Sequence, residues 1–273
     1  MEFNINFSTL ENSSFSPVDS DNSFNYWNDP KNEKGKIFNV NNDFTKLEES
    51  IHLKNIYNEL INLIEFHNID VNNKNILSIA SGSCWLESKW LKSSSPKSLT
   101  AIEFSKHRIF DLAPKSFNHY GYNYQVELIN GDIMSFKPEI SPNKFDIVLL
   151  CQAFHHMVEP VRLLRNLYKI CTRGGKIIII GEHYYGPTSY MIRTAKHFIK
   201  YLINHRNYRS NHLFFPAYNE LYPPSIMNND TKGDIHYSKF DYEYLFKEGG
   251  RFNTSHHIYK DHELQAFVLE VLE

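Results

Sequence analysis

Residues 75–91 constrain the fold more than any other stretch of this chain. A short β-compatible segment at residues 75–80, largely apolar, is followed by four small residues at 81–84 and then by apolar side chains at helical spacing. The order predicts a buried strand, a tight turn and a helix. Such a turn lets the backbone approach a ligand, because Gly82 has no Cβ atom. The N–H groups that open the helix favour a polar or anionic ligand group.

The same alternation continues along the chain and predicts the fold class. Further strands are predicted at 98–103, 124–130, 145–151 and 176–181, and helices at 43–67, 105–120, 159–171 and 240–248, with a turn at 172–175. Two closing strands at 252–258 and 264–272 read as a hairpin. We therefore predict a Rossmann-like, doubly wound α/β fold with a mostly parallel seven-stranded sheet. Asp43 or Asn42 is the expected cap of the first helix, and Pro114 is a candidate break in the third.

Two segments fall outside this rhythm. Residues 1–42 are rich in Asn, Ser and Asp but carry isolated aromatic residues, so we expect an irregular N-terminal arm. Residues 43–273 form the predicted domain. Within it, residues 186–239 combine a helix at 189–205 with a long proline- and aromatic-containing stretch. Connections of that length are usually functional or disordered. The aromatic content of this stretch favours a lid or a substrate-binding insertion.

Composition narrows the function classes. The formal net charge is −2 with mixed signs, so no nucleic-acid interaction is indicated. The three cysteines are widely spaced and predict no disulfide framework, which favours a cytoplasmic location. No apolar run is long enough to cross a membrane, and no signal-peptide core is present at the N-terminus. The 14 histidines lack metal-ligand spacing, so no metal site is predicted. The oligomeric state stays open.

Polar residues follow each of the five predicted parallel strands. They are the turn after residue 80, Glu103, Asp132, the group Cys151, Gln152, His155 and His156, and the pair Glu182 and His183. Ligands of parallel α/β sheets bind beyond the carboxyl ends of the strands, so we expect these groups to share one crevice. Glu103 can accept hydrogen bonds from ribose hydroxyls, and Asp132 can accept one from an exocyclic amine.

Five segments carry a resemblance to a known family. They are Ile-Leu-Ser-Ile-Ala-Ser-Gly-Ser (76–83), Thr-Ala-Ile-Glu-Phe-Ser (100–105), Asn-Gly-Asp-Ile (130–133), Phe-Asp-Ile-Val-Leu-Leu-Cys-Gln-Ala-Phe-His-His-Met-Val-Glu-Pro (145–160) and Arg-Gly-Gly-Lys-Ile-Ile-Ile-Ile (173–180). Over roughly residues 50–182 the chain resembles the class I S-adenosylmethionine-dependent methyltransferases, most closely their small-molecule branch. This resemblance implies S-adenosylmethionine as cofactor and methylation of O, N or C in a small-molecule acceptor, in secondary metabolism among other settings.

The resemblance also implies roles for individual residues. Ala80, Ser81 and Gly82 would contact the methionine part of the cofactor, Glu103 the ribose, Phe104 the adenine face, and Asp132 and Ile133 the adenine edge. Cys151 and Gln152 would lie under the methionyl end. His156 falls where related enzymes carry a functional histidine, and His155 and His183 are the alternatives.

The chain departs from the family pattern in its first motif. Ser78 stands where an acidic residue is usual, and Ala80-x-Gly82-x-Cys84 replaces Gly-x-Gly-x-Gly. Side chains at the outer two positions fit if the turn keeps negative φ there. The lost carboxylate leaves open a homologue that binds the cofactor without transferring methyl. A nicotinamide-dependent dehydrogenase is the other alternative, although Gly-x-Gly-x-x-Gly is absent.

In methyl transfer from a sulfonium the methyl group is already activated. The protein therefore mainly aligns the two reactants and excludes water. A base is required only where the acceptor must lose a proton, and histidine titrates in the suitable range. We therefore expect His156, or else His155 or His183, to orient or deprotonate the acceptor. Aromatic residues in 208–222 and in the arm suggest a flat or apolar acceptor.

Overall fold

An eight-stranded sheet carries the fold, with strand order β1-β4-β3-β2-β5-β6-β8-β7. The computed structural model describes residues 5–10, 44–135, 144–157, 159–184, 237, 239–259 and 263–273. The strands are β1 (Ile5–Thr9), β2 (Asn75–Ile79), β3 (Ser98–Glu103), β4 (Val126–Asn130), β5 (Phe145–Cys151), β6 (Cys171–His183), β7 (Phe252–Tyr259) and β8 (Leu264–Val271). The helices are α1 (Thr45–Glu49), α2 (Ile51–Phe66), α3 (Trp85–Leu91), α4 (Ala113–Tyr120), α5 (Pro160–Ile170) and α6 (Lys239–Gly249).

The first six strands of this sheet pair in parallel, whereas β8 pairs antiparallel with both β6 and β7. The predicted Rossmann-like α/β fold with an antiparallel closing hairpin is therefore confirmed. β2 lies at the centre, where Leu77 is in register with Thr100 of β3 on one side and with Val148 of β5 on the other. The chain turns outward in opposite directions from this point, so a crevice opens at the carboxyl ends of β2 and β5.

The sheet separates two apolar cores, because alternate residues of each buried strand point to opposite faces. On β2, Ile76 packs in the core covered by α1 to α4, whereas Leu77 and Ile79 pack in the core covered by α5 and α6. Both faces are buried, which explains the unbroken apolar runs that predicted these strands.

An N-terminal strand, β1, is the main difference from the prediction of seven strands and an irregular arm. It extends the sheet by pairing in parallel with β4, from Ile5 opposite Val126 to Thr9 opposite Asn130. Only Ile5 is partly buried, and Phe7 meets Phe110 edge to face with ring centroids 5.3 Å apart. Backbone pairing at a sheet edge needs no apolar side-chain pattern, so periodicity gave no signal for it.

The helix predicted at 43–67 is wrong as one element, because Ser50 divides it. Ser50 has extended backbone angles, and its hydroxyl accepts a hydrogen bond from the Leu53 N–H at 3.3 Å, which caps α2. The expected caps Asp43 and Asn42 lie outside the described residues.

Two further boundaries differ. The helix predicted at 105–120 contains a π-helical segment, His107–Leu112, and α4 begins beyond it with Pro114 in its first turn. Proline is compatible with that position because the first-turn N–H groups have no partner within the helix. The strand predicted from residue 176 starts at Cys171, and the presumed turn at 172–175 is a register shift within β6.

The predicted helix at 189–205, the insertion at 186–239 apart from residues 237 and 239, and the rest of the arm lie outside the described residues. Within the described ranges, no helix is long and apolar enough to cross a membrane.

Gly249 marks a close contact between α5 and α6 that a substitution can test. A Cβ atom there would lie 2.4 Å from Cβ of Leu164. We expect Gly249→Ala to lower the free energy of unfolding by about 1–3 kcal/mol, because the two helices must move apart. Unfolding by urea, followed by circular dichroism, measures this change.

The control is Lys247→Ala, on an exposed position of the same helix. It should stay within about 0.5 kcal/mol of the wild type. Replacing glycine by alanine usually stabilises a helix. If Gly249→Ala stabilised the protein, the close contact with Leu164 would be contradicted.

Candidate active site

The turn after β2 is held in a left-handed conformation at three alternate positions. Ala80, Gly82 and Cys84 have φ angles of +50°, +55° and +52°. The condition of negative φ, under which side chains would fit easily at Ala80 and Cys84, is therefore not met. The chain passes from strand to helix within five residues, and this sharp reversal requires positive φ even where a side chain is present. Each non-glycine residue in this region costs about 1–2 kcal/mol.

Glu103 joins the carboxyl ends of β2 and β3. Its carboxylate is buried, and its two oxygens accept hydrogen bonds from the N–H of Gly82 at 3.0 Å and from the N–H of Ser105 at 2.9 Å. The Asn130 amide donates to the backbone oxygens of Glu103 and Phe104 at 3.1 and 2.9 Å. The end of β4 is thereby fixed to the end of β3. No sequence signal pointed to Asn130, because an amide at a strand end has no distinctive spacing.

Asp132 and Ile133 follow β4 at the same edge. One carboxylate oxygen of Asp132 accepts a hydrogen bond from the Met134 N–H at 2.9 Å and caps a short turn, while Ile133 is buried. Burial raises the pKa of Asp132, with the Met134 N–H and Arg162 opposing that effect. This local capping bond accounts for the position of the Asp132 side chain.

Gln152 lies directly after β5 and contacts both a neighbouring strand and a helix. Its N–H donates to the Ile180 carbonyl at 2.8 Å, and its amide nitrogen lies 2.8 Å from Nε2 of His52 at the start of α2. Gly181 has φ +74°, and a Cβ atom there would lie 2.7 Å from Cγ of Gln152. Glycine at 181 is therefore what allows Gln152 to pack against β6. Beside it, burial raises the pKa of the Cys151 thiol well above its usual range.

A β-bulge next to Gly181 determines where Glu182 points. Between Ile179 and Glu182 one extra residue of β6 stands opposite β8. Simple alternation from Ile178 and Ile180 would place Glu182 in the core under α2. The bulge instead brings its carboxylate to the opposite face of the sheet, where residues of α6 lie.

The Glu182 carboxylate is fully buried and accepts three hydrogen bonds. The donors are the Phe154 N–H at 3.1 Å, Nδ1 of His155 at 3.0 Å and the Tyr242 hydroxyl at 3.0 Å. Burial alone would raise the pKa of Glu182, but His155 and the Tyr242 hydrogen bond outweigh it, so the pKa lies below its ordinary value. Glu182 is therefore an ionised carboxylate at neutral pH.

The three candidate histidines lie together beside this carboxylate. The ring centroid of His155 lies 4.1 Å from that of His156 and 5.6 Å from that of His183. His155 is buried and His156 is partly exposed. The hydrogen bond to Glu182 comes from His155, whereas sequence reasoning had grouped Glu182 with its neighbour His183. The Tyr242 contribution was not foreseen, because it depends on how α6 packs.

A second buried acid lies under the turn. The Ser78 hydroxyl donates to Glu87, which comes from the first turn of α3 and is 2% exposed. Burial raises the pKa of Glu87 to about 7, with the Ser78 hydrogen bond opposing that effect. A carboxyl from residue 87 thus lies against Ser78, the position at which the family pattern has an acidic residue. The available signal was an acid among the apolar residues of a short buried helix.

The surroundings of the turn contain polar atoms suited to a ligand. The buried hydroxyls of Ser83 and Ser105 have no hydrogen-bond partner among the described residues, and Arg108 places a guanidinium nitrogen 3.8 Å from where a Cβ of residue 82 would lie. Unsatisfied buried hydroxyls next to a strand-end carboxylate fit a polyhydroxylated, charged ligand. In the part of the chain that the structure describes, no three His, Cys, Asp or Glu residues are grouped to hold a metal ion.

The middle part of the chain matches a known protein family. Residues 77–177 match the model of a methyltransferase domain. This match spans β2 to the first half of β6, and so covers the turn, Glu103, Gln152 and the two adjacent histidines. No curated protein sequence matches the chain.

Solved structures share the fold at low sequence identity. A protein of Methanococcus maripaludis, assigned as an S-adenosyl-L-methionine-dependent methyltransferase, is 18% identical with a TM-score of 0.52, over 82% of this chain and 88% of that one. The pyocyanin biosynthetic protein PhzM is 13% identical with a TM-score of 0.54, over 90% and 61%. The methyltransferase partner of the Trm112 activator of Haloferax volcanii is 10% identical with a TM-score of 0.50, over 75% and 85%.

The strand order, with its crevice at β2 and β5 and its antiparallel closing hairpin, defines a class I methyltransferase fold. Residues 77–177 of the chain form a methyltransferase domain. This match confirms the predicted methyltransferase domain over these residues.

The left-handed turn leads to a stability prediction. We expect Ala80→Gly to raise the free energy of unfolding by about 1 kcal/mol, because glycine adopts positive φ without a steric penalty. Cys84→Gly should raise the free energy of unfolding by less, because the Cys84 side chain is fully buried and its packing would be lost. Thermal and urea unfolding measure both changes.

Ala153→Gly is the matched control, because Ala153 is also next to the site but has φ −132°. This change should destabilise the protein by about 0.5–1 kcal/mol. If Ala80→Gly destabilised the protein to the same extent, the turn would carry no strain.

Proposed function

We propose that this enzyme methylates a small-molecule acceptor and that His155, held by Glu182, is the base that removes the proton of the acceptor. The hydrogen bond from Nδ1 of His155 to the buried Glu182 carboxylate, at 3.0 Å, carries the proposal. When bound, S-adenosylmethionine supplies a methyl carbon already activated by its sulfonium.

The contact with Glu182 sets the chemistry of His155. A carboxylate at Nδ1 keeps the proton on that nitrogen, which leaves Nε2 as the acceptor atom of the ring. When Nε2 takes a proton, the negative charge of Glu182 stabilises the imidazolium. A base that is oriented and charge-stabilised in this way typically contributes about 10²–10⁴-fold to a rate.

The two other donors to Glu182 preserve this arrangement. The Phe154 N–H and the Tyr242 hydroxyl occupy the carboxylate while His155 changes its charge, so the acid stays ionised. The rings of Phe154, Tyr242 and Phe246 pack on one another with centroids 5.8–6.0 Å apart. This aromatic wall excludes water from the buried side of Glu182 and strengthens its interaction with His155.

Residues at the strand ends would hold the cofactor. Glu103 is positioned to accept from the ribose hydroxyls, and the turn at Ala80, Ser81 and Gly82 would contact the methionine part. Phe104, Asp132 and Ile133 would surround the adenine, and Cys151 and Gln152 would lie under the methionyl end. The proximity of Gly82 and Glu103, with N–H and carboxylate 3.0 Å apart, supports a single continuous pocket.

A small-molecule acceptor is favoured over a macromolecule by the charge of the chain and by the enclosed histidine. The net charge of −2 gives the chain no overall excess of positive charge for binding nucleic acid. One neighbour of similar fold, PhzM, is a biosynthetic protein for pyocyanin. The aromatic residues around the histidines favour a flat or apolar acceptor.

Substitution of the histidines tests the choice of base. His155→Asn should lower turnover at least about tenfold and remove the decline in rate at acid pH, while cofactor affinity changes less than about twofold. Formation of S-adenosylhomocysteine from a panel of phenolic and amine acceptors measures the rate.

His156→Asn and His183→Asn are the matched controls and should have smaller effects. Glu182→Gln should share the effect of His155→Asn, because it removes the charge that holds the ring. Full activity of His155→Asn combined with an inactive His156→Asn would assign the base to His156 instead.

The ribose role of Glu103 has its own test. Glu103→Gln keeps an oxygen for the Gly82 N–H but loses the charge, so we expect S-adenosylmethionine to bind about tenfold more weakly, or about 1.4 kcal/mol. Isothermal titration calorimetry gives the affinity. Glu127→Gln, on neighbouring β4, is the control and should bind as the wild type does. Equal affinities of the two variants would place the ribose elsewhere.

A further inference from the structure

Glu87 is a buried acid that the proposed chemistry does not use. Its carboxyl lies between α3 and β2, where Ser78 donates a hydrogen bond to it from the strand. Ser78 and Glu87 flank the strained turn of Ala80 to Cys84 in sequence, and both side chains are buried. The turn assigned above to the methionine part of the cofactor therefore lies, along the chain, between the two residues that share this hydrogen bond.

Among the described residues, the titratable groups that act on Glu87 are a carboxyl and two thiols, which can add only negative charge. They are the Glu103 carboxyl from β3 and the thiols of Cys84, at the start of α3, and Cys151, at the end of β5. The Ser78 hydroxyl is the neutral contact from β2. Since burial raises the pKa of Glu87 to about 7, the carboxyl is about half protonated at neutral pH. A cation arriving at the turn would favour its ionised form.

We propose that Glu87 supplies the negative charge beneath the sulfonium of S-adenosylmethionine, and that binding of the cofactor drives a proton from this carboxyl into solution. The inference rests on the proposed cofactor site. It assigns to α3 a charge that the strand, with Ser78, does not provide.

The same residue distinguishes the cofactor from its product. In methyl transfer the C–S bond breaks, its electron pair stays on sulfur, and the methyl carbon bonds to the acceptor, whose proton passes to His155. The sulfonium charge is thereby lost. Glu87 then takes a proton back from solvent, and the neutral thioether of S-adenosylhomocysteine has no charge for it to hold. Glu87 therefore favours binding of the cofactor and release of the product.

Calorimetry measures this proton directly. Titration of the whole protein with S-adenosylmethionine at pH 7, in phosphate and in Tris, should give binding enthalpies that differ by the heat of buffering about half a proton per cofactor bound. Affinity for S-adenosylmethionine should rise about tenfold from pH 6 to pH 8. Binding of S-adenosylhomocysteine, which has the same α-amino group but no sulfonium, should release far fewer protons. It serves as the reference ligand.

Two variants separate Glu87 from other groups. Glu87→Gln should abolish the proton release and flatten the pH dependence. Glu59→Gln is the matched control, because Glu59 is another buried carboxyl whose pKa burial raises to about 7, on α2 and without a hydrogen-bond partner among the described residues. Its removal should leave the proton release intact.

A third variant keeps the proposal testable if Glu87→Gln does not fold. Ser78→Ala removes the hydrogen bond that favours the ionised carboxyl, so the rise in affinity should move to higher pH. Proton release that persists in Glu87→Gln, a pH dependence that Ser78→Ala leaves unmoved, or proton release that disappears in Glu59→Gln would overturn the proposal while leaving the methyltransferase assignment in place. Failure of the wild type to bind S-adenosylmethionine would overturn the cofactor site itself, and this inference with it.

Discussion

Parallel hydrogen bonding on both sides of β2 is the constraint on which the rest of this structure depends. Since β3 and β5 both run alongside β2, the backbone beyond each strand emerges at one edge, and side chains from distant parts of the chain meet there. Glu103 reaches the N–H of Gly82 only because the two strands end in register. The left-handed turn at Ala80 and Cys84 follows from the same geometry, because the chain must leave the edge at once to cover the sheet with α3.

Three buried acids around the crevice differ in their hydrogen-bond donors. Glu182 has three donors, one of them an imidazole, and is ionised. Glu103 is fixed by two backbone N–H groups. Glu87 has a single hydroxyl donor beyond its own backbone and exchanges its proton near neutral pH. In the roles proposed above, one of these side chains orients a base, one binds sugar hydroxyls, and one responds to the charge of the ligand.

Apolar runs predicted the central strands well, because burial on both faces leaves little choice of residue at positions such as Ile76 to Ile79. The polar groups that follow the strands were predicted for a related reason, since parallel strands deliver them to one edge. Features that depend on tertiary contacts were missed. The bulge at Gly181 reverses the face of Glu182, and Glu87 reaches Ser78 across nine residues. Neither could be derived from periodicity, because both arise where regular alternation is broken.

The pairing of β1 with β4 has a consequence for the order in which the molecule is assembled. During synthesis Ile5–Thr9 leaves the ribosome long before its partner Val126–Asn130 exists. The longest-range parallel pairing in the described sheet therefore closes late, after β2, β3 and β4 have come together locally. Until then β4 offers an unpaired backbone edge, which is a surface for contacts with other nascent chains. Of the two strands in this pair, the one made earlier thus waits for the one made later before it can join the sheet.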